Sequence, residues 1–203
     1  MATSVRDQNA QPPSVLSLNY RYSAAWNEVN TRIAQRQSAV NIFVTLASAI
    51  VTILIAGSRS ESPINPNLLS VPLPIISFVF GLLNYKHDKT IALLRHYLAA
   101  CEEFSAQSFP ALASLGYNSA PVYRDNASKT RKLHDYSSAL LILVFNIAGL
   151  TVARKAYPAT FNLSGWPIVG YVVVVGFSVW LVIRASVRPH VFRAEPEVRS
   201  SGA

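Results

Sequence analysis

The sequence predicts an all-α polytopic membrane protein, with four transmembrane helices in two hairpins and helical extensions into the cytoplasm. Three observations carry this. The chain is 51% hydrophobic and 14% charged, against about 25% charge in an average soluble domain. Its charged residues cluster, leaving four uncharged stretches at 37–58, 62–85, 136–153 and 156–183. Its basic residues sit on alternate sides of those stretches. A helix needs about 20 apolar residues to cross a hydrocarbon layer about 30 Å thick, so each stretch holds one span.

Residues 1–14 are polar, contain Pro12 and Pro13, and read as a disordered cytoplasmic tail. From 15 to 36 the pattern is amphipathic: Tyr22, Trp26, Val29 and Ile33 form one apolar stripe at helical spacing. Glu28 and Arg32 form an i,i+4 pair in the favoured order. No proline interrupts the run into the first span at 38–57, so one helix from about 16 to 57 is expected.

The second span, 69–85, follows Pro63 and Pro66 and contains Pro72 and Pro74, so its helix starts near Pro72. That leaves a short apolar segment before Lys86, and a re-entrant segment is the alternative to a full crossing. The same helix should continue to about Ala106, with Ile91, Leu94, Leu98 and Cys101 as its apolar stripe. Residues 107–126, with Pro110, Gly116 and Pro121, read as a linker. A third helix is expected from the Asn126 cap into the span at 136–154. The fourth span is 166–184, bracketed by Trp166 and Trp180, and 189–203 is a second cytoplasmic tail. The two halves, 15–106 and 127–188, are thus each a hairpin.

Orientation follows from the basic residues. Fifteen of the 18 lie before the first span, between the second and third, or after the fourth. Only Arg59, Arg154 and Lys155 fall on the other side. Cytoplasmic loops collect Lys and Arg, so both termini are expected in the cytoplasm of a bacterial inner membrane or a plasma membrane. Lys129, Arg131, Lys132, Arg184 and Arg188 should meet anionic lipid headgroups, each worth about 1 kcal/mol near the surface. This segregation also explains the net charge of +8 without a nucleic-acid partner.

Polar residues inside the spans are the candidate site. In the first, Gln37, Asn41, Thr45, Ser48 and Thr52 fall within a wedge of about 80°. In the second, Ser77, Gly81 and Asn84 share a face with Asp88; in the third, Asn146 lies above Gly149. Two readings stay open. Such residues pack helices together by small size and cross-helix hydrogen bonds, or they line a water-filled path once several copies surround an axis. No acid, base or broken helix sits at mid-membrane, which disfavours an ion-coupled small-solute transporter.

Enzyme chemistry finds no support. There is no glycine-rich phosphate loop, GxSxG, HExxH or CxxC, and one cysteine excludes an internal disulfide. The sequence implies no catalytic residue, metal or cofactor. Its implied partners are the lipid bilayer, further copies of itself, and a cytosolic partner on the stalk helices.

Residues 15–106 resemble the SLATT-type membrane modules of nucleotide-linked bacterial defence systems. The resemblance lies in YRYSAAWNEVNTRIAQRQ leading into the first span, a short outer turn, and NYKHDKTIALLRHYLAACEE after the second. It implies a homo-oligomer that permeabilises the membrane when triggered from the cytosol, as in antiviral defence. The second hairpin departs from the simple two-span module. A non-conducting scaffold or accessory subunit that recruits a cytosolic partner is the other expectation.

Overall fold

Leu18 to Gly57 contains no proline, and its only glycine is the last residue; nothing in that run breaks a helix. The computed structural model, which describes residues 18–59, 65, 71–108, 116–119, 121–158, 161 and 165–187, forms one helix there. It is all-helical, with no strand among the described residues. The order is α1 (Leu18–Gly57), α2 (Pro72–Ser108), α3 (Pro121–Ala156) and α4 (Trp166–Val187). Three helices, α1, α3 and α4, are long and apolar enough to cross a membrane. In α2 the apolar run from Pro72 to Tyr85 is shorter, and Lys86, His87 and Asp88 follow directly.

One boundary differs from expectation. Helix α3 begins at Pro121, five residues before Asn126, so the linker ends sooner. Proline suits the first helical position: its fixed φ matches the helix, and its missing N–H would have no intrahelical partner there. Asn126 therefore lies within the helix, where its carbonyl accepts a bond from the Thr130 hydroxyl. The tails at 1–14 and 189–203 lie outside the described residues.

Contacts between side chains give the helix directions. Phe43 stacks on Phe80, Arg36 meets Asp88, and Tyr22 meets Glu102, so α1 and α2 run antiparallel. Asn146 meets Ser77 and Arg131 meets Asp88, so α3 runs antiparallel to α2, while Phe78 meets Phe177 and Gly81 meets Ser178, so α4 runs the same way as α2. Helices α1 and α4 are not neighbours; each packs on both α2 and α3.

The molecule has two parts with different chemistry. In the apolar part, Phe43, Ala47, Leu73, Phe80, Ile142, Tyr171 and Val182 form one core. The Phe43 ring stacks on Phe80 at 4.7 Å and meets the Phe145 edge at 5.9 Å. At its far end Tyr157 packs on Leu54 and Ala153 and donates a hydrogen bond to the Leu54 carbonyl. In the stalk, Ala25, Val29, Ile91 and Leu98 form a smaller core, flanked by Tyr22, Ile33 and Leu94. Burying a side chain such as Val29 or Leu98 out of water contributes about 1.5–3 kcal/mol, which holds α1 on α2 over this length. Trp26, expected in the same stripe, lies at its edge and meets Tyr117 edge-on at 6.0 Å.

Candidate functional site

The polar residues of the apolar part separate into two groups. Gln37, Asn41, Thr45, Ser48 and Thr52 are all exposed, on the face of α1 turned away from Arg36, Phe43, Ala47 and Leu54. Ser77, Gly81, Asn84 and Asn146 are all buried between helices.

The buried group is helix packing. Asn146 is its hub: its amide donates to Ser77 Oγ at 2.7 Å, and its oxygen accepts from the Tyr171 hydroxyl at 2.8 Å. One side chain thereby ties α2, α3 and α4. Gly81 lets α2 and α4 approach, since a Cβ there would lie 3.0 Å from the Ser178 carbonyl oxygen.

The exposed group is longer than the sequence reading found. Continuing the same spacing toward the N-terminus gives Ala34, Asn30, Asn27, Ser23 and Asn19, all exposed and all uncharged. A ridge of Asn, Ser, Thr, Gln and one Ala thus runs from Asn19 to Thr52, about 50 Å at the helical rise. The charged residues of α1, namely Arg21, Glu28, Arg32 and Arg36, all point elsewhere. Glu28 and Arg32 pair at 2.6 Å, as their spacing predicts.

Where the stalk meets the apolar part, charges are buried between three helices. Arg36 of α1 donates from Nη1 to Asp88 Oδ1 of α2 at 2.6 Å. Its Nη2 lies 3.4 Å from Asp135 Oδ1 of α3. Arg131 Nε sits 3.7 Å from Asp88 Oδ2, and His134 Nδ1 3.7 Å from Asp135 Oδ1. Arg36 is 8% exposed, Asp88 2% and Asp135 1%. Charges are almost never this buried unless paired. Next to His87 and His134 in the chain, at the end of apolar runs, both aspartates are nevertheless interior. Arg36 carried a signal, since it continues the Tyr22, Trp26, Val29, Ile33 stripe by one more step of three.

A second knot closes the far end of the stalk. Glu102 accepts hydrogen bonds from the Tyr22 hydroxyl at 2.9 Å and from the Asn118 and Ser119 backbone N–H groups at 2.8 Å. Burial alone would raise its pKa, but the bonds from Asn118, Tyr22 and Ser119 outweigh it and hold the carboxyl below its usual range. Tyr22 is pushed up to about 12 by burial and by Glu102. Neighbouring Glu103 is exposed.

The expected headgroup cluster is divided. Lys129 and Lys132 are exposed, whereas Arg131 turns in toward Asp88. Arg184 lies over the Trp180 ring at 4.4 Å. Arg188 is outside the described residues. Among the described residues no three His, Cys, Asp or Glu side chains are grouped to hold a metal ion. Compared with family models, with curated proteins and with solved structures, the chain finds no match.

Proposed function

We propose that the chain crosses the bilayer four times, with both termini and the stalk in the cytosol, and assembles through α1 into an oligomeric pore. The observation that carries this is the outward ridge of Asn41, Thr45, Ser48 and Thr52, polar side chains on a helix face that nothing covers among the described residues. Lipid offers such groups no hydrogen bonds; other copies of the same ridge, or water along an axis, do. The ridge is also uncharged over its whole length. Around a symmetry axis each residue meets its own copy, and a face without charge meets no repulsion there.

In this reading α2 crosses with its short apolar run, Tyr85 and Lys86 reaching the inner boundary. The basic asymmetry sets the orientation. The stalk transmits the trigger, because α1 runs unbroken from Asn19 through the bilayer. The likeness of residues 15–106 to SLATT-type effector modules agrees with a membrane-permeabilising role.

The test is flux through liposomes containing the purified chain. Asn41→Leu, Thr45→Leu and Ser48→Leu combined should abolish flux. Unchanged flux removes the ridge from the path.

One observation favours the scaffold reading. Leu93, Tyr97 and Phe104 of the α2 stalk are 61%, 41% and 62% exposed, and Tyr97 stands beside Arg21 of α1. Apolar side chains on one helix face outside the membrane fit a docked partner. A chain that conducts nothing, yet is crosslinked to one cytosolic protein through Leu93→Cys, supports that reading over the pore.

A further inference from the structure

Six buried polar atoms where the stalk meets the apolar part have no hydrogen-bond partner among the described residues. They are both amide atoms of Asn84, Nδ1 of His87, Oδ2 of Asp88 and both carboxylate oxygens of Asp135. Asn84 is 0% exposed and stands one turn from Asp88 on the same face of α2. Buried polar groups are rarely left unsatisfied, so such a cluster calls for a partner.

The chemistry of the cluster narrows what that is. Arg36 and Arg131 already balance Asp88 and Asp135, so no net negative charge remains to hold a metal cation. Three of the six atoms are carboxylate oxygens. An ionised carboxylate only accepts hydrogen bonds, so the two acids cannot satisfy one another while both are charged. Both lean on the same guanidinium, one at each Nη. Among the described residues no donor makes a hydrogen bond to Asp88 Oδ2 or to either Asp135 oxygen, Arg131 Nε standing 3.7 Å from the first.

We infer that Asp88 and Asp135 form a proton-binding site that takes one proton from the cytosol, and that this proton keeps α1 packed on α2 and α3. The proton forms an O–H bond at Asp88 Oδ2. That hydroxyl then donates to Asp135, directly or through a buried water, while Arg36 keeps Asp135 as its counter-ion. The site gains one positive charge. Arg131 takes up the imbalance, because its side chain is 19% exposed and reaches water.

The charged neighbours are Arg32 and Arg36 on α1, Lys86, His87 and Arg95 on α2, and Arg131, His134 and Asp135 on α3. At this end of α4 the charged residue is Arg184, engaged by Trp180. Burial holds Asp88 above its ordinary value of 3.8, outweighing Arg131 and Arg36, and Asp135 adds to the rise. Burial likewise lowers His87, with Arg32, Lys86 and Arg36 adding to the effect, which keeps that ring from supplying the charge. The sign follows from linkage. A carboxyl that binds its proton more tightly when packed favours the packed state as pH falls into the window above 3.8. As pH rises out of that window the proton leaves, two buried carboxylates repel, and α1 loosens. The consequence for opening rests on the pore reading: flux rises as pH rises through the site's midpoint.

Infrared titration of the full chain in lipid reads the site without any flux. A protonated-carboxyl band should persist above the pH at which a hydrated carboxylate is ionised, and vanish in Asp88→Asn. No such band, or a band unchanged in Asp88→Asn, overturns the site. Should Asp88→Asn fail to assemble, Asp135→Asn decides: losing the neighbouring carboxylate should shift the band's midpoint to lower pH, and an unmoved midpoint overturns the sharing. Spin labels at Ser38→Cys and Ser137→Cys, with Cys101→Ser, read the distance from α1 to α3 at this level. That distance should widen as pH rises through the same midpoint; a constant distance overturns the holding role. If band and distance titrate while flux ignores pH, the proton site stands and the pore reading falls.

Discussion

Two sets of polar residues occupy the apolar part at similar helical spacing, and they meet opposite fates. Ser77, Asn84 and Asn146 face other helices of the same chain, and Asn146 joins three of them. Asn41, Thr45 and Ser48 face outward from α1 and are exposed among the described residues. Composition does not separate the sets, since both are built from Asn and small hydroxyl residues. Direction separates them. A polar residue turned inward stabilises the protomer; one turned outward costs free energy in lipid until a second molecule covers it. In the proposed oligomer the first set serves stability and the second assembly.

Four variants sharpen or break it, taken in falling order of effect on the protomer. Asn146→Leu removes the hub and leaves the Tyr171 hydroxyl and Ser77 with one partner fewer. The expected cost is about 1–3 kcal/mol, read as a lower midpoint in detergent unfolding, with copy number unchanged in the surviving fraction. Gly81→Ala sets a methyl 3.0 Å from the Ser178 carbonyl oxygen and pushes α2 from α4. Overpacking of this kind costs about 1–2 kcal/mol, visible in the same titration.

Glu102→Ala acts in the stalk, outside the apolar part, and costs about 1 kcal/mol. Hydrogen exchange at the Asn118 and Ser119 amides should accelerate. The pH dependence has a definite sign. Glu102 is held below the ordinary glutamate value of 4.5. Its contribution is therefore complete above 4.5 and is lost as pH falls through the lower, packed-state value. In Glu102→Ala the acid-induced part of this exchange should disappear.

The smallest protomer effect belongs to Asn41→Leu, Thr45→Leu and Ser48→Leu combined. Unfolding of the isolated protomer should move by less than about 0.5 kcal/mol, while oligomers dissociate. Equal loss of protomer stability in this variant and in Asn146→Leu would erase the distinction between the two sets.

The lengths of α1 and α2 were legible in the sequence because the physics is local. Leu18–Gly57 holds no breaker, and Pro72 marks the start of α2. The stalk core was legible through Val29, Ile33, Ile91 and Leu98, where the period of 3.6 selects one face. The start of α3 was not, because a proline reads as a breaker whether it precedes a helix or opens one. Asp88 and Asp135 were not, because a charge next to an apolar run looks the same whether it meets water or an arginine on another helix. The division of the polar residues was the deepest omission. Periodicity shows which residues share a face, while the neighbour that face meets is set by the packing of four helices.

The account stands on α1 meeting its own copies along the polar ridge. Disulfide crosslinking in membranes, in a Cys101→Ser background, tests this face by face. Thr45→Cys and Ser48→Cys lie on the ridge; Leu46→Cys and Ile53→Cys are also exposed but on another face of the same helix. The account predicts crosslinked dimers from the first pair and none from the second. Dimers from Leu46 and Ile53 alone, or from all four positions alike, would contradict it.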